Sequence, residues 1–242
     1  MDHTNNSCCC GEAEHFSGCL ICGASITYRA ESSIQTCSIC HKEQLTNAVC
    51  ENGHFICDAC HSYGTYAPVI TTLRDSTEKD ALLLLEKIMD LPSVHMHGPE
   101  HHAIVPCVLL TAFRNNGEHM DYDAALSEIC KRAKQVPGGT CGYWGVCGAA
   151  GAGIFMSVMT GSSPLHKDAW PFPQKLVSII LSRLADVGGP RCCKRTSRIA
   201  IEEAVHFYSQ FCSVNIPLSS ITCKYCEDNR ECIQEDCPYY PE

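Results

Sequence analysis

Apolar residues recur at helical spacing through most of the chain after residue 76. Residues 77–91, TEKDALLLLEKIMDL, follow the 3.6-residue period and have Ser76 or Thr77 as a candidate N-cap. Strand patterns are weak, apart from short hairpins expected within residues 19–61. Five further helices are predicted, at residues 101–115, 120–135, 146–161, 172–189 and 193–212. The pattern therefore predicts a mainly α protein with a helical bundle as its core.

Glycine and alanine are concentrated in residues 136–155, VPGGTCGYWGVCGAAGAGIF, around Cys141 and Cys147. Side chains this small let a cofactor approach the backbone closely, and they also let two helices pack tightly with nothing bound. The helix predicted at 146–161 is nearly uncharged, so we expect it to be central and buried. We also expect the small residues to mark a place where a bound group lies against this helix.

Cysteine-rich segments flank the predicted bundle and define its organisation. We expect a flexible leader at residues 1–18, which includes Cys8, Cys9 and Cys10 and is given no role. A zinc-binding module follows at 19–61, because a segment of about 40 residues usually needs metal or disulfides to fold. The remaining predicted parts are a linker at 62–76, a helical core domain at 77–222 and a C-terminal cysteine-rich metal loop at 223–242.

The most informative feature of the composition is the presence of 21 cysteines and 12 histidines among 242 residues. Many of the cysteines form C-x-x-C pairs and no secretory signal pattern precedes them, which favours metal-bound thiolates in a reducing cytoplasm over disulfides. The net charge of −9 disfavours nucleic-acid binding. No apolar run is long enough to predict a membrane span.

The N-terminal module contains eight candidate metal ligands arranged in four pairs. They are Cys19, Cys22, Cys37, Cys40, Cys50, His54, Cys57 and Cys60. Eight such ligands suffice for two tetrahedral zinc sites, paired either sequentially or in a cross-braced order that joins Cys19 and Cys22 to Cys50 and His54. Residues 50–60, CENGHFICDAC, resemble the middle of RING-type cross-braced fingers. His41 and His61 lie beside ligands, and we do not assign them as ligands.

Three motifs in the predicted core carry complementary chemistry at helix boundaries. Residues 95–106 contain His97, Glu100, His101 and His102; residues 136–155 contain Cys141 and Cys147; residues 188–195 contain Cys192, Cys193, Lys194 and Arg195. We expect Cys141, Cys147 and Cys192 to bind an iron–sulfur cluster, with a mononuclear metal as the alternative.

The other groups of these motifs are candidate catalytic residues. Cys193 is a candidate nucleophile or sulfur carrier. His97, Glu100, His101 and His102 are candidate acids, bases or further ligands. Lys194 and Arg195, together with Arg114, are candidates for binding a carboxylate or phosphate.

A last set of four thiols lies near the C-terminus. Its members are Cys223, Cys226, Cys232 and Cys237. Zinc is the expected metal, because the spacing departs from the regular C-x-x-C-x-x-C run of ferredoxin-type clusters. An iron–sulfur cluster is the alternative.

The core motifs and the C-terminal C-x-x-C loop, in this order, resemble a cysteine-rich family of unknown function. That family occurs in anaerobic bacteria and methanogenic archaea, alone or fused to SAM-dependent methyltransferases. The resemblance implies an anaerobic metal protein that acts near methyl or sulfur chemistry, with a methyltransferase as a candidate protein partner. It implies no particular reaction.

The sequence therefore favours a cytoplasmic iron–sulfur or metal-dependent enzyme that acts on a small anionic or sulfur- or methyl-containing substrate. The alternative is a non-catalytic sulfur or metal carrier, or a zinc-finger adaptor protein. An enzyme predicts a cavity where the three motifs converge, whereas a carrier predicts an exposed thiol pair without a pocket.

Overall fold

The computed structural model describes residues 18–242 and shows a mainly helical chain with one N-terminal β-hairpin, which confirms the predicted fold class. The leader expected at 1–18 falls, up to residue 17, outside the described residues. The hairpin pairs β1 (Ile26–Thr36) with β2 (Glu43–Cys50). The helices are α1 (Asp58–His61), α2 (Tyr66–Asp75), α3 (Ala81–Met89), α4 (His101–Asn115), α5 (Tyr122–Ala133), α6 (Thr140–Tyr143), α7 (Ala149–Met159), α8 (Pro171–Val187) and α9 (Cys193–Tyr208).

The six predicted helices correspond to α3, α4, α5, α7, α8 and α9. Helix α3 starts four residues later than Thr77 because Asp80 is its N-cap, and the Asp80 carboxylate accepts bonds from the backbone N–H groups of Leu82 and Leu83, both at 2.9 Å. Helix α2 lies within the segment 62–76 that we expected to be a linker. Among residues 18–242, no helix is long and apolar enough to span a membrane.

Helices α4 and α9 form the centre of the bundle. Every residue of α4 from 101 to 113 is buried, and so is every residue of α9 from 193 to 201. Helix α7, which its uncharged sequence suggested to be central, is buried on one face only. Polar side chains at the start of α4 and α9 are therefore enclosed by the fold, where each needs a partner.

The small residues of α7 are explained by helix packing. A Cβ atom added at Gly151 would lie 3.0 Å from the carbonyl oxygen of His102 and 3.1 Å from Cβ of Val105, both on α4. One added at Gly153 would lie 2.7 Å from a methyl group of Val177 on α8. Glycine is needed at these positions because two neighbouring helices, rather than a bound group, lie against α7.

A buried ion pair attaches the C-terminal loop to the core. Arg198 on α9 has no exposed surface and donates to both carboxylate oxygens of Glu86 on α3, at 2.7 and 2.9 Å. The Arg198 guanidinium also lies 5.7 Å from the ring centre of Tyr225 and 5.3 Å from that of Tyr239. The loop that carries the last four cysteines is thus fastened by cation–π contacts around one buried cation.

Replacing Arg198 should therefore destabilise the chain strongly. We expect Arg198→Met to lower the free energy of unfolding by about 3 kcal/mol, because it leaves Glu86 unpaired in a largely buried position. Urea unfolding of the metal-loaded chain measures this change. Arg183→Met is the matched control: Arg183 is one-third exposed and pairs with Glu202 and Glu203, so it should cost roughly 1 kcal/mol or less. Equal losses in both variants would contradict this role for Arg198.

Candidate metal and thiol sites

Tight turns on either side of the hairpin assemble the first four-ligand cluster, made of Cys19, Cys22, Cys50 and His54. Sγ of Cys22 lies 3.5 Å from Sγ of Cys50, and Sγ of Cys19 lies 3.8 Å from Nδ1 of His54. Thiolates on one tetrahedral zinc ion stand about 3.8 Å apart, as the Zn–S bond length requires. The distances therefore fit a metal ion such as zinc.

Hydrogen-bond donors beside the first cluster favour the thiolate form of its cysteines. The backbone N–H of Ala24 and the side-chain amide of Asn52 lower the pKa of Cys22 to about 6. Gly23 and Gly53 follow their ligand turns with φ of 69° and 82°, a left-handed conformation that glycine adopts without strain. This local geometry holds the thiols ready for metal.

The second cluster comprises Cys37, Cys40, Cys57 and Cys60. Sγ of Cys40 lies 3.7 Å from Sγ of Cys57, and the backbone N–H of Cys57 donates to Sγ of Cys37. Phe55 packs against these thiols and shields them from water. Of the two pairings that the sequence left open, the structure has the cross-braced one.

The module packs against the helical core and leaves a cleft of about 510 Å³ between them. Asp58 accepts a bond of 2.8 Å from the backbone N–H of Gly138, and the guanidinium of Arg230 donates to the carbonyl of Gly23 at 3.0 Å. The cleft is lined by Tyr28, His61, His95, His97, Thr140 and Arg191, among others. Its volume lies within the range usual for small-molecule sites.

Three thiols from separate segments meet in the core beside this cleft. The thiol of Cys147 lies close enough to those of Cys141 and Cys193 to lower the pKa of both. The three thiols form a chain, because within the described residues Cys141, Cys147 and Cys193 do not all lie within 4.8 Å of one another. Cys193 is the first residue of α9, and the neighbouring Cys147 thiol holds its pKa well below the usual range, against the effect of burial.

Two of the predicted histidines belong to the surroundings of Cys193. His97 lies near Cys193, and its Nε2 lies 3.1 Å from Oδ1 of Asn229. His101 is fully buried, which lowers its pKa to about 4 and makes it a neutral imidazole. Nδ1 of His101 donates to the carbonyl of Gly98 at 3.1 Å and leaves a buried Nε2 without a partner. A backbone bond of this kind is how proteins orient a metal-binding or proton-accepting imidazole.

Glu100 forms the centre of a third cluster, with His61 and His95. Its carboxylate has no exposed surface; Oε2 lies 3.4 Å from Nδ1 of His61, and Oε1 lies 3.3 Å from Nδ1 of His95. Burial alone would raise the pKa of Glu100, but these imidazoles hold it well below its usual range. Glu100 is therefore an anion buried where the module meets the core.

The other predicted core residues hold the surroundings in place. Nδ1 of His102 donates to the carbonyl of Val136 at 3.2 Å and fixes the start of the glycine-rich segment. Lys194 has no exposed surface, and its ammonium lies 4.9 Å from the ring centre of Tyr225. Arg195 donates to backbone carbonyls of the 188–190 loop, at 3.1 and 2.7 Å.

Arg114 likewise donates to backbone carbonyls between residues 73 and 76. These cations contact the protein; Arg191 lines the cleft, where it donates to the hydroxyl of Tyr28.

The thiol of Cys192 caps helix α9. Cys192 is the N-cap residue, and its Sγ accepts from the backbone N–H of Arg195 at 3.4 Å. Its electrostatic neighbours include Cys223 in the C-terminal loop. Adjacent residues at the start of α9 thus serve two different thiol groups.

The four C-terminal thiols are spread out. Cys223 and Cys232 each accept a backbone N–H bond at 3.4 Å, from Tyr225 and Gln234. Within residues 18–242, no three of Cys223, Cys226, Cys232 and Cys237 have sulfur atoms within 4.8 Å of one another. This separation exceeds that of thiolates on one tetrahedral ion.

The sequence analysis did not assign His61, His95 or Arg191 to a site. In the sequence, His61 lies beside a zinc ligand and His95 lies within the histidine-rich segment 95–106. The density of histidines in VHMHGPEHH was the available signal for His95. His61 and Arg191 reach the cleft only through the packing of the module on the core, which a linear pattern does not show.

The fold and these clusters define a cysteine-rich, helical protein with metal-site geometry near its N-terminus. Residues 69–240 match the family of unknown function (DUF5714), and the chain belongs to that family. The match runs from within α2 through α9 and most of the C-terminal loop, and the hairpin module precedes it. Comparisons with curated proteins and with solved structures found no match.

Cross-braced ligation makes a distinct prediction for pairs of variants. Cys22→Ala and Cys50→Ala should each release the same metal ion, so the double variant should lose no more metal than either single variant. Cys22→Ala combined with Cys40→Ala should lose both ions, because these ligands belong to different clusters. Native mass spectrometry of the full chain counts the bound ions. Loss of both ions from Cys22→Ala with Cys50→Ala would indicate sequential pairing.

Proposed function

We propose that this chain is an iron–sulfur-dependent enzyme whose N-terminal module is held by two zinc ions. Cys141, Cys147 and Cys193 would hold the cluster. The substrate class is a small anionic or sulfur- or methyl-containing molecule that enters the cleft. The single observation that carries the proposal is the convergence of these three thiols, from three segments, beside a cleft of about 510 Å³.

The spacing of the thiols is too wide at one edge for all three to bind one tetrahedral ion. One tetrahedral ion would place all three sulfur atoms about 3.8 Å apart. The described thiols are more widely spread than 4.8 Å at one edge. An iron–sulfur cluster contains several irons, so it does not require all three thiolates to bind one ion. When bound by three thiolates, such a cluster offers one iron as a Lewis acid to a substrate.

The residues around the thiols supply the remaining functions of an active site. His101 presents a neutral, buried Nε2 that can accept a proton or bind metal. His97 lines the cleft and lies near Cys193, so it can exchange a proton with a group bound there. Among residues 18–242, Arg191 is the only lysine or arginine that lines the cleft, and it favours an anionic substrate.

The thiols are better suited to an enclosed reaction than to a carrier. Cys193 is 8% exposed, and Cys141 and Cys147 are half-buried. A sulfur or metal carrier must present its thiol to a partner, whereas these thiols lie beside a pocket. The enclosed position supports an enzyme over a carrier.

An adaptor is the second candidate, and one observation on the module favours it. Ile34 and Leu45 face each other across the hairpin, and they are 66% and 65% exposed. Exposed apolar pairs of this kind are typical of protein-binding surfaces. An adaptor would need this hairpin and would not need the central thiols, so Cys147→Ala would leave partner binding intact.

Adjacent cysteines give a sharp test of the enzyme proposal. We expect Cys193→Ser to lose most of the iron and acid-labile sulfide of the anaerobically purified chain, together with its visible absorption. Cys192→Ser is the matched control, because serine is a good N-cap and keeps α9 intact. It should retain the central cluster.

Cys147→Ala should behave like Cys193→Ser and should leave the N-terminal zinc content unchanged. Zinc as the only metal in the wild-type chain would remove the cluster from the proposal. Retention of iron and sulfide in both Cys147→Ala and Cys193→Ser would show that these thiols do not hold it.

A further inference from the structure

A cluster of two imidazoles and a carboxylate lies at the floor of the cleft. His61 belongs to α1, at the end of the N-terminal module, whereas His95 and Glu100 belong to the segment before α4. One ligand atom from each residue lies within 4.8 Å of the other two. Imidazole and carboxylate are donors for divalent transition metals such as zinc and iron.

Hydrogen bonds account poorly for these contacts. Charge-assisted bonds between nitrogen and a carboxylate are about 2.7–2.9 Å long, but the two contacts here measure 3.4 and 3.3 Å. Nδ1 of His61, Nδ1 of His95 and both oxygens of Glu100 are buried without a hydrogen-bond partner. Four polar atoms in this state would be costly unless something else satisfies them.

The distances instead fit ligands of one ion. Zinc binds nitrogen at about 2.0–2.1 Å and oxygen at about 2.0–2.2 Å, so a nitrogen and an oxygen at two corners of its tetrahedron are about 3.4 Å apart. An ion would also satisfy the carboxylate oxygens of Glu100. The ring centres of His61 and His95 are only 4.6 Å apart, so both imidazoles can reach the same ion.

We propose that His61, His95 and Glu100 bind a divalent transition-metal ion such as Zn²⁺ or Fe²⁺, with an open coordination position facing the cleft. Three protein ligands with a remaining position for water or substrate are the pattern of catalytic metal sites. Both histidines line the cleft, so the open position is reachable from it. Nδ1 of His101 lies 3.7 Å from Glu100 but is bonded to Gly98, and it supports the site without joining it.

The site rests on different residues from the proposed iron–sulfur site and stands independently of it. It also couples the module to the core, because His61 directly follows Cys60, a ligand of the second four-cysteine cluster. An ion held by His61 and Glu100 would fix the module in the position that forms the cleft.

Cobalt uptake tests the site without requiring a known substrate. The full chain is dialysed against a weak chelator that leaves the four-ligand sites filled, and Co²⁺ is then titrated in. We expect the difference spectrum to show d–d bands without sulfur-to-cobalt charge transfer, because the ligands are nitrogen and oxygen. Glu100→Gln and His95→Ala should weaken Co²⁺ binding at least about 100-fold, more than the usual cost of losing an outer-shell contact.

His206→Ala is the matched control, since His206 is exposed on α9 and should bind Co²⁺ like the wild type. His95 is one-quarter exposed, so His95→Ala should disturb folding less than Glu100→Gln. If circular dichroism shows that Glu100→Gln does not fold, Co²⁺ binding by His95→Ala is the test of the site. His95→Ala should keep its iron and sulfide, which separates this site from the proposed cluster. Wild-type binding in His95→Ala, or charge-transfer bands in the wild-type spectrum, would overturn the proposal.

Discussion

A buried carboxylate constrains the region where the N-terminal module meets the helical core. Glu100 has no exposed surface, and the module contributes His61 while the core contributes His95 to its surroundings. The chain passes so close to this carboxylate that a Cβ atom on Gly98 would lie 2.1 Å from it. The same segment carries His97 to Cys193 and holds His101 through the Gly98 carbonyl. The position of the module, the cleft and the thiols thus all depend on accommodating one anion.

Local sequence patterns predicted most of the helices. Helix α4 has the predicted bounds of 101–115, because a long apolar run is interrupted by polar residues only at its ends. Helix α2 was not predicted because YAPVITTLRD contains a proline and β-branched residues; it is held by burying Val69 and Leu73 in the core. The sequence also overestimated the burial of α7. A helix with few charges tolerates burial, but the packing of α4 and α9 determines which helices are central.

The candidate sites were predictable as residue types but only partly as groups. The spacing of the cysteines and His54 predicted the eight module ligands. The choice between the two pairings depended on the bend of the hairpin. At that bend, four residues of β1 between Tyr28 and Ser33 lie opposite the single residue Asn47 of β2. Which of two adjacent cysteines would face the other thiols depends on the rotation of α9 about its axis. No pattern encodes that rotation, and none indicated that Arg191 would line the cleft while Lys194 and Arg195 contact the protein.

The alternating order of the ligand pairs has an evolutionary consequence. The first and third pairs serve one cluster and the second and fourth serve the other, so an insertion or gene break between Cys40 and Cys50 would divide both ligand sets at once. Neither cluster can be gained or lost by recombination within the hairpin while its neighbour stays whole. The segment from Cys19 to Cys60 is therefore expected to be inherited or exchanged only as a single cassette, and the family match that begins at residue 69 leaves that cassette undivided.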